Sequence, residues 1–479
     1  MAAFELHRQP ASNTMSMRQM ARPRIIILLS VALLVLGFWR LSSDWDNAQI
    51  TYETDKTRLS GSSASYTPKT TKGSHSTSGW KWNADRDRSD HSLTLDQCHS
   101  AFPELYTEID RSADYWRKFL NGKKIGPEHI DLGWSGDGGL QCMIYNQQLY
   151  ITFSRGLNHF QHWKERSHGT LHQIHRAILA SREPIPNIEF SIKINDRIEF
   201  TERMPKSENS TVWAFSRNMS DPITEQIWLV PDFNWWEYPR VMGSFADFQR
   251  QALELDRDGW NAKRDQLVWR GTTSFNAPLR QALINQSDSQ PWSDVHKVDE
   301  DSTAGDAAKF RITMPDHCKY KYAVHTEGTT WSGRLKYLLS CHLVVVAHPL
   351  TWHTHLYHLL KHDGPNQNYV QVAGDFANLR EQMEDLVANP KKGKIIADNA
   401  AATFRDKYGT PAAQTCYWRQ LFHTWSKVAY EPDPYEGITG SDGKVHKQWR
   451  GMTYEQYMIW FCNVPDDSKP GDDCYHTYG

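Results

Sequence analysis

The chain lacks most of the features that reveal a function at a glance. Its 479 residues carry 54 Lys and Arg against 56 Asp and Glu, a net charge of −2. No positive excess is available for bulk binding of nucleic acid. No segment repeats along the chain, and no His-Glu-x-x-His is present, which removes one common zinc-binding pattern. "GWSGDGGL" (133–140) lacks the full Gly-x-Gly-x-x-Gly of a dinucleotide-binding turn and reads as a loop. Long apolar runs are scarce too. "IIILLSVALLVLGFW" (Ile25–Trp39) has 15 residues, short against the roughly 17–25 of a membrane-crossing helix. What the chain has in quantity is 20 Trp and 22 His. Indole faces can stack on sugars, although a Trp count mostly reports core packing.

Arg18, Arg22 and Arg24 precede the apolar run, and Asp44 and Asp46 follow it. Trp39 and a snorkelling Arg40 lengthen its effective reach, and early secretory membranes are thin. The expectation is a transmembrane signal anchor over 25–41, with 1–24 as a cytosolic tail and the rest lumenal. A cleaved signal peptide is the rival reading. The 24 residues before the run and the lack of an Ala-x-Ala-like site after it weigh against cleavage. Sequons at Asn209, Asn218 and Asn285 agree with a lumenal compartment. Seven cysteines (98, 142, 318, 341, 416, 462 and 474) allow up to three disulfides there, with the pairing open. The C-terminal "YHTYG" carries no retrieval signal, so a single-pass type II Golgi membrane protein is expected. Residues 42–94 are rich in Ser, Thr and Gly and poor in aliphatic residues, which predicts a disordered stem.

From Cys98 onward the pattern is globular. "HWKERSHGTLHQIHRAILAS" reads as a helix, "NIEFSIKIND" as a strand ending at Asp196, and "QIWLVPDF" as a short strand and turn. "SFADFQRQALELDRDGWNAKRDQL" is amphipathic and predicts a bridging helix. "LVWRG" then reads as a strand, "TTSFN" as a loop, and a helix opens at Ala277-Pro278. "KYKYAVHTEG", "SGRLKYLLSCH" and "LVVVAH" form a βαβ pattern, followed by a helix containing "WHTHLYHLLKH". Alternating strands and helices predict an α/β fold with parallel sheets. The division is placed at 95–250 and 251–435, with 436–479 packing back on the first half.

In such sheets, ligands lie beyond the carboxyl ends of strands. Asp196, "WRGTTS", "HTEGTTWSGR" and "DFNWWEYP" stand at such ends. In "HTEGTTWSGRLKYLL", Arg334 falls in the first turn of a helix, where the dipole favours anions over cations. A diphosphate on the helix N-terminus would reverse that penalty, with Arg334 adding a charge-assisted contact. Lys336 projects to another face. Arg270 ends the preceding strand and Arg280 stands early in the helix after it, with Thr272 and Ser274 between them, so one anion could lie between that helix start and the one at Arg334. Separate surface ion pairs are the plain alternative. Asp196 could serve as a general base, although most strand-end aspartates form turns. Three Asp-x-Asp pairs (Asp44/Asp46, Asp85/Asp87, Asp256/Asp258) could hold a divalent cation, and His348, His353, His355, His358 and His362 have helical spacing that could ligate zinc. The first two pairs fall in the stem and the third in a polar helix, while the histidines interleave with leucines. No metal is therefore expected.

"DHCKYKYAVHTEGTTWSGRLKYLLSCHLVVV" (316–346), with "VWRGTTS" (268–274) and "CYW" (416–418), closely resembles glycosyltransferase family 90, over about Cys98 to Trp460. That family includes fungal capsule-associated and protein O-glucosyltransferases. The resemblance implies a GT-B architecture of two Rossmann-like domains and a UDP-sugar donor in the cleft, with inversion and no metal. It implies donor contacts from Thr329, Thr330, Trp331, Ser332, Gly333 and Arg334, from Arg270, Thr272 and Arg280, and from Tyr238 before Pro239. It also implies Asp196 as the base, and disulfides Cys318–Cys341 and Cys98–Cys416. Arg197-Ile198 follow Asp196 where the family often has a small or aromatic residue and then proline, which makes Glu327 the second candidate base.

The resulting expectation is an inverting, metal-independent transferase with no cofactor besides its co-substrate. It would move xylose or glucose from a UDP-sugar to a hydroxyl of a glycan or glycoprotein, with Trp235 and Trp236 on the acceptor side. A catalytically silent lumenal glycan-binding scaffold on the same fold is the alternative, and a metal-dependent transferase using Asp256/Asp258 a third.

Overall fold

The computed structural model describes residues 79–157, 160–196, 198, 209–238, 242–298, 309–441 and 443–459. The expected anchor at 25–41, the residue Arg197, and Cys462 and Cys474 lie outside them. Among the described residues no helix is long and apolar enough to cross a membrane.

Two sheets organise this α/β chain. The first contains β1 (Gly139–Tyr145), β2 (Gln148–Arg155), β3 (Ile188–Lys193), β4 (Trp213–Ala214) and β5 (Trp228–Leu229). β1 runs antiparallel to β2 and to β3, whereas β3, β4 and β5 run parallel. The expected parallel sheet is thus mixed in this half. The cause is local: Asn146 and Gln147 adopt φ of 47° and 66°. Two consecutive left-handed residues make the tight hairpin turn whose twist matches paired strands, so no crossover helix intervenes.

The second sheet is parallel throughout. It comprises β6 (Arg264–Gly271), β7 (Ser293–Lys297), β8 (Tyr320–His325), β9 (Val344–Ala347) and β10 (Val370–Gln371), in the order β7-β6-β8-β9-β10. β8 and β9 are buried along their whole length, as strands covered on both faces must be. Period-2 alternation sorts their side chains. Tyr322, Val324, Val344 and Val346 join Trp260, Met383 and Ile396 on one face. Ala323 and Val345 join Leu335 and Leu338 on the other.

The helix Pro411–Val428 returns the chain to the first sheet. Thr410 caps it by accepting from Ala413 N, and Pro411 occupies the first turn, where no amide is needed. It is buried nearly all round. Tyr417 Oη donates to Leu229 O (2.7 Å), and Trp425 Nε1 donates to Glu189 O (2.9 Å). The strand β11 (Met452–Thr453) then pairs with the outer edge of β2.

Three expectations change. The stem does not extend to residue 94: Trp82 Nε1 donates to Asp406 O (3.1 Å) and its ring lies 4.7 Å from Phe102, so Trp80 and Trp82 already pack on the globular part. The bridging helix covers only Phe245–Leu255, because Gly259, at φ 77°, turns the chain toward β6. The segment containing "WHTHLYHLLKH" is not an α-helix. It holds a short 3-10 turn at Tyr357–Leu359. Asn368 takes over the backbone there, donating to Leu359 O (2.9 Å) and accepting from Lys361 N (2.8 Å). The histidines scatter accordingly: His355 faces Gln414 Oε1 (2.8 Å) and His358 faces Glu104 O (2.7 Å).

The structure contains the disulfides Cys98–Cys416 and Cys318–Cys341, and Cys142 is a buried free thiol. Cys98–Cys416 closes a separation of 318 residues and pins the returning helix to the first half. Replacing both cysteines by alanine should lower the unfolding free energy by about 2–5 kcal/mol, read by denaturant titration under oxidising conditions.

Candidate active site

Three loops meet beyond the carboxyl edge of the second sheet: 272–276 after β6, 326–333 after β8 and 348–352 after β9. Their side chains and backbones lock together. Arg280, buried in the helix Ala277–Ser287, donates from Nη1 to Thr272 O (2.7 Å) and from Nε to Glu327 O (3.2 Å). Oε1 of Glu327 accepts from the backbone amides of Thr351 (2.9 Å) and Trp352 (2.7 Å). Glu327 N donates to His348 Nε2 (3.2 Å), and His348 Nδ1 faces Pro349 O (2.8 Å), which fixes a neutral tautomer. Ser274 N donates to Thr272 Oγ1 (3.1 Å), closing a local turn. The loops enclose an open cavity of about 400 Å³ lined by Ser274, Asn276, Glu327, Gly328, Thr329 and Thr351, among others.

Arg334 opens the six-residue helix Arg334–Leu339, with Gly333 at the N-cap. Burial, then the charges around it including Arg334 and Arg280, hold His325 well below its ordinary pKa. Burial and then Arg334 do the same to His317, down to about 4. Arg280 lies beside the chain that leaves β8, bonded to Thr272 O and Glu327 O, and Arg334 opens the helix that follows the same loop. The imidazoles beneath them stay neutral and add no competing charge. Gly333 is required by close packing: a Cβ there would lie 2.9 Å from Asn234 Nδ2 and 3.1 Å from the Trp331 ring. Thr329 is exposed, Thr330 is buried with its carbonyl accepting from Gly328 N (2.9 Å), and Ser332 is half-buried. Trp331 is buried and faces inward, its ring 6.3 Å from Phe215.

Arg270 does not join this group. Nε donates to Phe310 O, Nη1 to the carbonyls of Trp269 and Asp294, and Nη2 to Asp294 Oδ1 (2.8 Å). The adjacent strand β7 has captured the guanidinium, so Arg270 braces the sheet edge instead of facing a donor. Asp256 is likewise engaged, by Lys263 Nζ (2.5 Å), Arg405 Nη1 (3.0 Å) and His342 N (2.9 Å), and the Asp256/Asp258 pair presents no open carboxylate couple.

Across the cleft, Asp196 follows β3 and is exposed, with Oδ1 accepting from Arg166 Nη1 (2.8 Å). The Arg166 guanidinium lies 4.9 Å from the Phe233 ring, and Tyr238 packs 4.9 Å from the same ring. Phe233 belongs to the turn Phe233–Trp235, whose Asn234 touches Gly333 and whose N-cap, Asp232, pairs with Lys336. A short chain of contacts thus connects Asp196 to the loop of Arg334. Trp235 packs on Phe245 (4.9 Å) and borders a small cavity beside Ser332 and Gly333. Trp236 stacks with His172 at 4.9 Å. Asn209 and Asn285 are exposed, while Asn218 is half-buried and accepts from Ser220 N (2.9 Å).

Sequence reasoning missed Arg166 and set Lys336 aside. Lys336 is buried among Trp235, Trp331 and Tyr337, with Asp232 as its anionic partner, and burial draws its pKa down to about 8. Helical phase did turn it from Arg334, but toward the other half of the molecule instead of toward solvent.

Burial pushes the Glu327 carboxyl up to about 7, against the two backbone amides that favour its ionised form. The folded protein therefore binds this proton more tightly than the unfolded chain does. The associated stabilisation is complete below about pH 4.5 and is lost as the pH rises through about 7. Glu327→Gln keeps the carbonyl acceptor and should remove this loss, worth up to roughly 3 kcal/mol, from the stability profile measured by chemical unfolding between those pH values.

The model of glycosyl transferase family 90 matches residues 97–467. Protein O-glucosyltransferase 1 of Homo sapiens is 26% identical over 260 residues, covering 51% of this chain and 63% of its own length. The O-glucosyltransferase rumi of Drosophila pseudoobscura pseudoobscura is 24% identical over 280 residues, covering 53% and 64%. The rumi homolog of Aedes aegypti is 26% identical over 270 residues, covering 52% and 63%. The chain thus spans less than two thirds of the length of these relatives. With more than half of its residues matched by one family, the chain belongs to glycosyl transferase family 90.

Proposed function

We propose that the protein transfers a sugar from a UDP-sugar to an acceptor hydroxyl, with inversion and without a metal. The observation that carries this reading is an open cavity at the carboxyl edge of a parallel sheet, whose loops Arg280 ties together through Thr272 O and Glu327 O. Fixed cations at that edge suit a diphosphate leaving group, whose developing charge they stabilise without reorganisation. Asp196, on the facing sheet, would take the acceptor proton as the hydroxyl attacks the anomeric carbon from the side opposite UDP. Arg166 orients that carboxylate. Glu327 braces the donor loop. The two sheets support a GT-B reading, with the acceptor on the side of β1–β5 and the donor on the side of β6–β10. The relatives' names favour glucose over xylose and a protein acceptor over a free glycan. The two disulfides support an oxidising lumenal compartment, and placement in the Golgi through the 25–41 anchor remains part of this proposal.

UDP release by the full chain, measured with UDP-glucose and UDP-xylose in EDTA, tests the reading. One donor should turn over. Asp196→Asn and Arg334→Ala should each lower kcat/KM by about 100-fold or more, the scale on which a general base or a charge-stabilising group acts. Full activity in Asp196→Asn, or loss of wild-type activity in EDTA, would overturn the mechanism. UDP binding without turnover would favour the silent glycan-binding scaffold.

A further inference from the structure

The helix Gln161–Leu179 carries a cation that the proposed reaction leaves unused. Arg176 lies in its last turn, half-buried, with its guanidinium carbon 3.7 Å from the centroid of Trp236. Nη1 of Arg176 donates to His91 Nε2 (3.0 Å). His91 Nδ1 then donates to Thr415 Oγ1 (2.8 Å), whose hydroxyl donates to Pro411 O (3.1 Å). This chain of donors runs in one direction only, so His91 is neutral, and burial accordingly lowers its pKa to about 4. The partner that positions Arg176 therefore offsets none of its charge.

No carboxylate does so either. Among the described residues none lies within ion-pairing distance of Arg176. Glu455 is bonded to His175 Nε2 (3.2 Å), and Asp90 accepts from the amide and hydroxyl of Ser92 (both 2.8 Å). The helix C-terminus supplies only a fractional negative charge. Buried or half-buried charged side chains are ordinarily paired, and arginine in particular is matched to carboxylate, sulfate or phosphate geometry.

The unpaired cation faces open space. Two adjoining depressions, of about 180 and about 670 Å³, share Arg176, Trp236, Ala246 and Pro411. Their walls are aromatic as well as cationic, and Glu237 is the carboxylate that lines the smaller one. The His172 and Trp236 rings lie 4.9 Å apart and within 19° of parallel, and the His175 ring stacks on Tyr454 at 4.0 Å. Trp235 borders the smaller depression and also the cavity beside Ser332 and Gly333, so it forms a wall between this crevice and the donor loop.

We propose that the crevice is a second binding site, for a saccharide carrying an oxyanion group. The anion is held by Arg176, and the sugar ring lies against the Trp236 and His172 wall, as flat aromatic faces favour. Its volume suits one or two sugar rings. The site would hold an acidic stretch of glycan next to the catalytic cleft without entering it. This assignment stands on Arg176 and its surroundings, independently of the reaction proposed above.

Calorimetric titration of the full chain with glucuronic acid, glucose and inorganic sulfate tests it without any transfer assay. Glucuronic acid should bind at least ten-fold more tightly than glucose. Arg176→Gln should abolish that preference and Arg176→Lys should keep part of it, with unfolding midpoints reporting that each variant is folded. Sulfate binding as tightly as glucuronic acid and lost in Arg176→Gln would uphold the anion site and assign it to sulfate-type groups, free or sugar-borne. Equal affinity of the wild type for glucose and glucuronic acid would overturn the proposal, and so would an unchanged preference in folded Arg176→Gln. Should Arg176→Gln fail to fold, the wild-type comparison decides alone.

Discussion

The buried pair of Asp232 and Lys336 is the contact on which the geometry of the cleft depends. Asp232 follows the last parallel strand of the first sheet, and Lys336 lies in the helix that begins after the 326–333 loop. Each charge is almost completely removed from water. Neither could be buried alone, because the desolvation penalty of a lone ion exceeds what packing returns. The pair also carries direction, since Asp232 accepts from Asn234 N (2.8 Å) and so fixes the turn whose Asn234 packs on Gly333. One ion pair thereby joins the turn bearing the aromatic residues to the loop bearing Arg334.

Around that joint the protein strips positive charge from the buried imidazoles. His317, His325 and His348 are all held neutral, chiefly by burial. The guanidinium of Arg280 is held rigidly beside that strand end by Thr272 O and Glu327 O. Preorganised charge of this kind is effective because it needs no rearrangement when a leaving group develops its own charge. Glu327 extends the same economy to backbone groups. Its carboxyl satisfies two amides of the neighbouring loop, so the 348–352 segment is tied to the 326–333 loop.

The legible parts of the fold were those in which one side-chain period dominates. β9 is a continuous apolar run that reads as a buried strand, β8 reads as a strand leading into a loop, and the helix after Gly333 follows that loop as expected. The β1–β2 hairpin was missed because Asn146-Gln147 carries no glycine, although both residues reach the left-handed region. The histidine-rich segment misled in the other direction. Its spacing is helical, yet Asn368, several residues further on, satisfies the backbone that a helix would have satisfied.

The sequence by itself determined the strand ends, the helix starts and the residue types there, because these follow from local propensity and short-range spacing. It also carried the motif that identifies the family. Tertiary structure alone decided which of those residues face one another. Arg270 and Arg280 look equivalent along the chain, but a neighbouring strand takes the first with Asp294 and leaves the second at the loop. Arg166, Lys336 and Arg176 are ordinary cations on helices until packing against other segments brings Asp196, Asp232 and His91 to them. These partners lie 30, 104 and 85 residues away in sequence. Local spacing has no means of encoding such pairings, because they arise only when separate elements share one core.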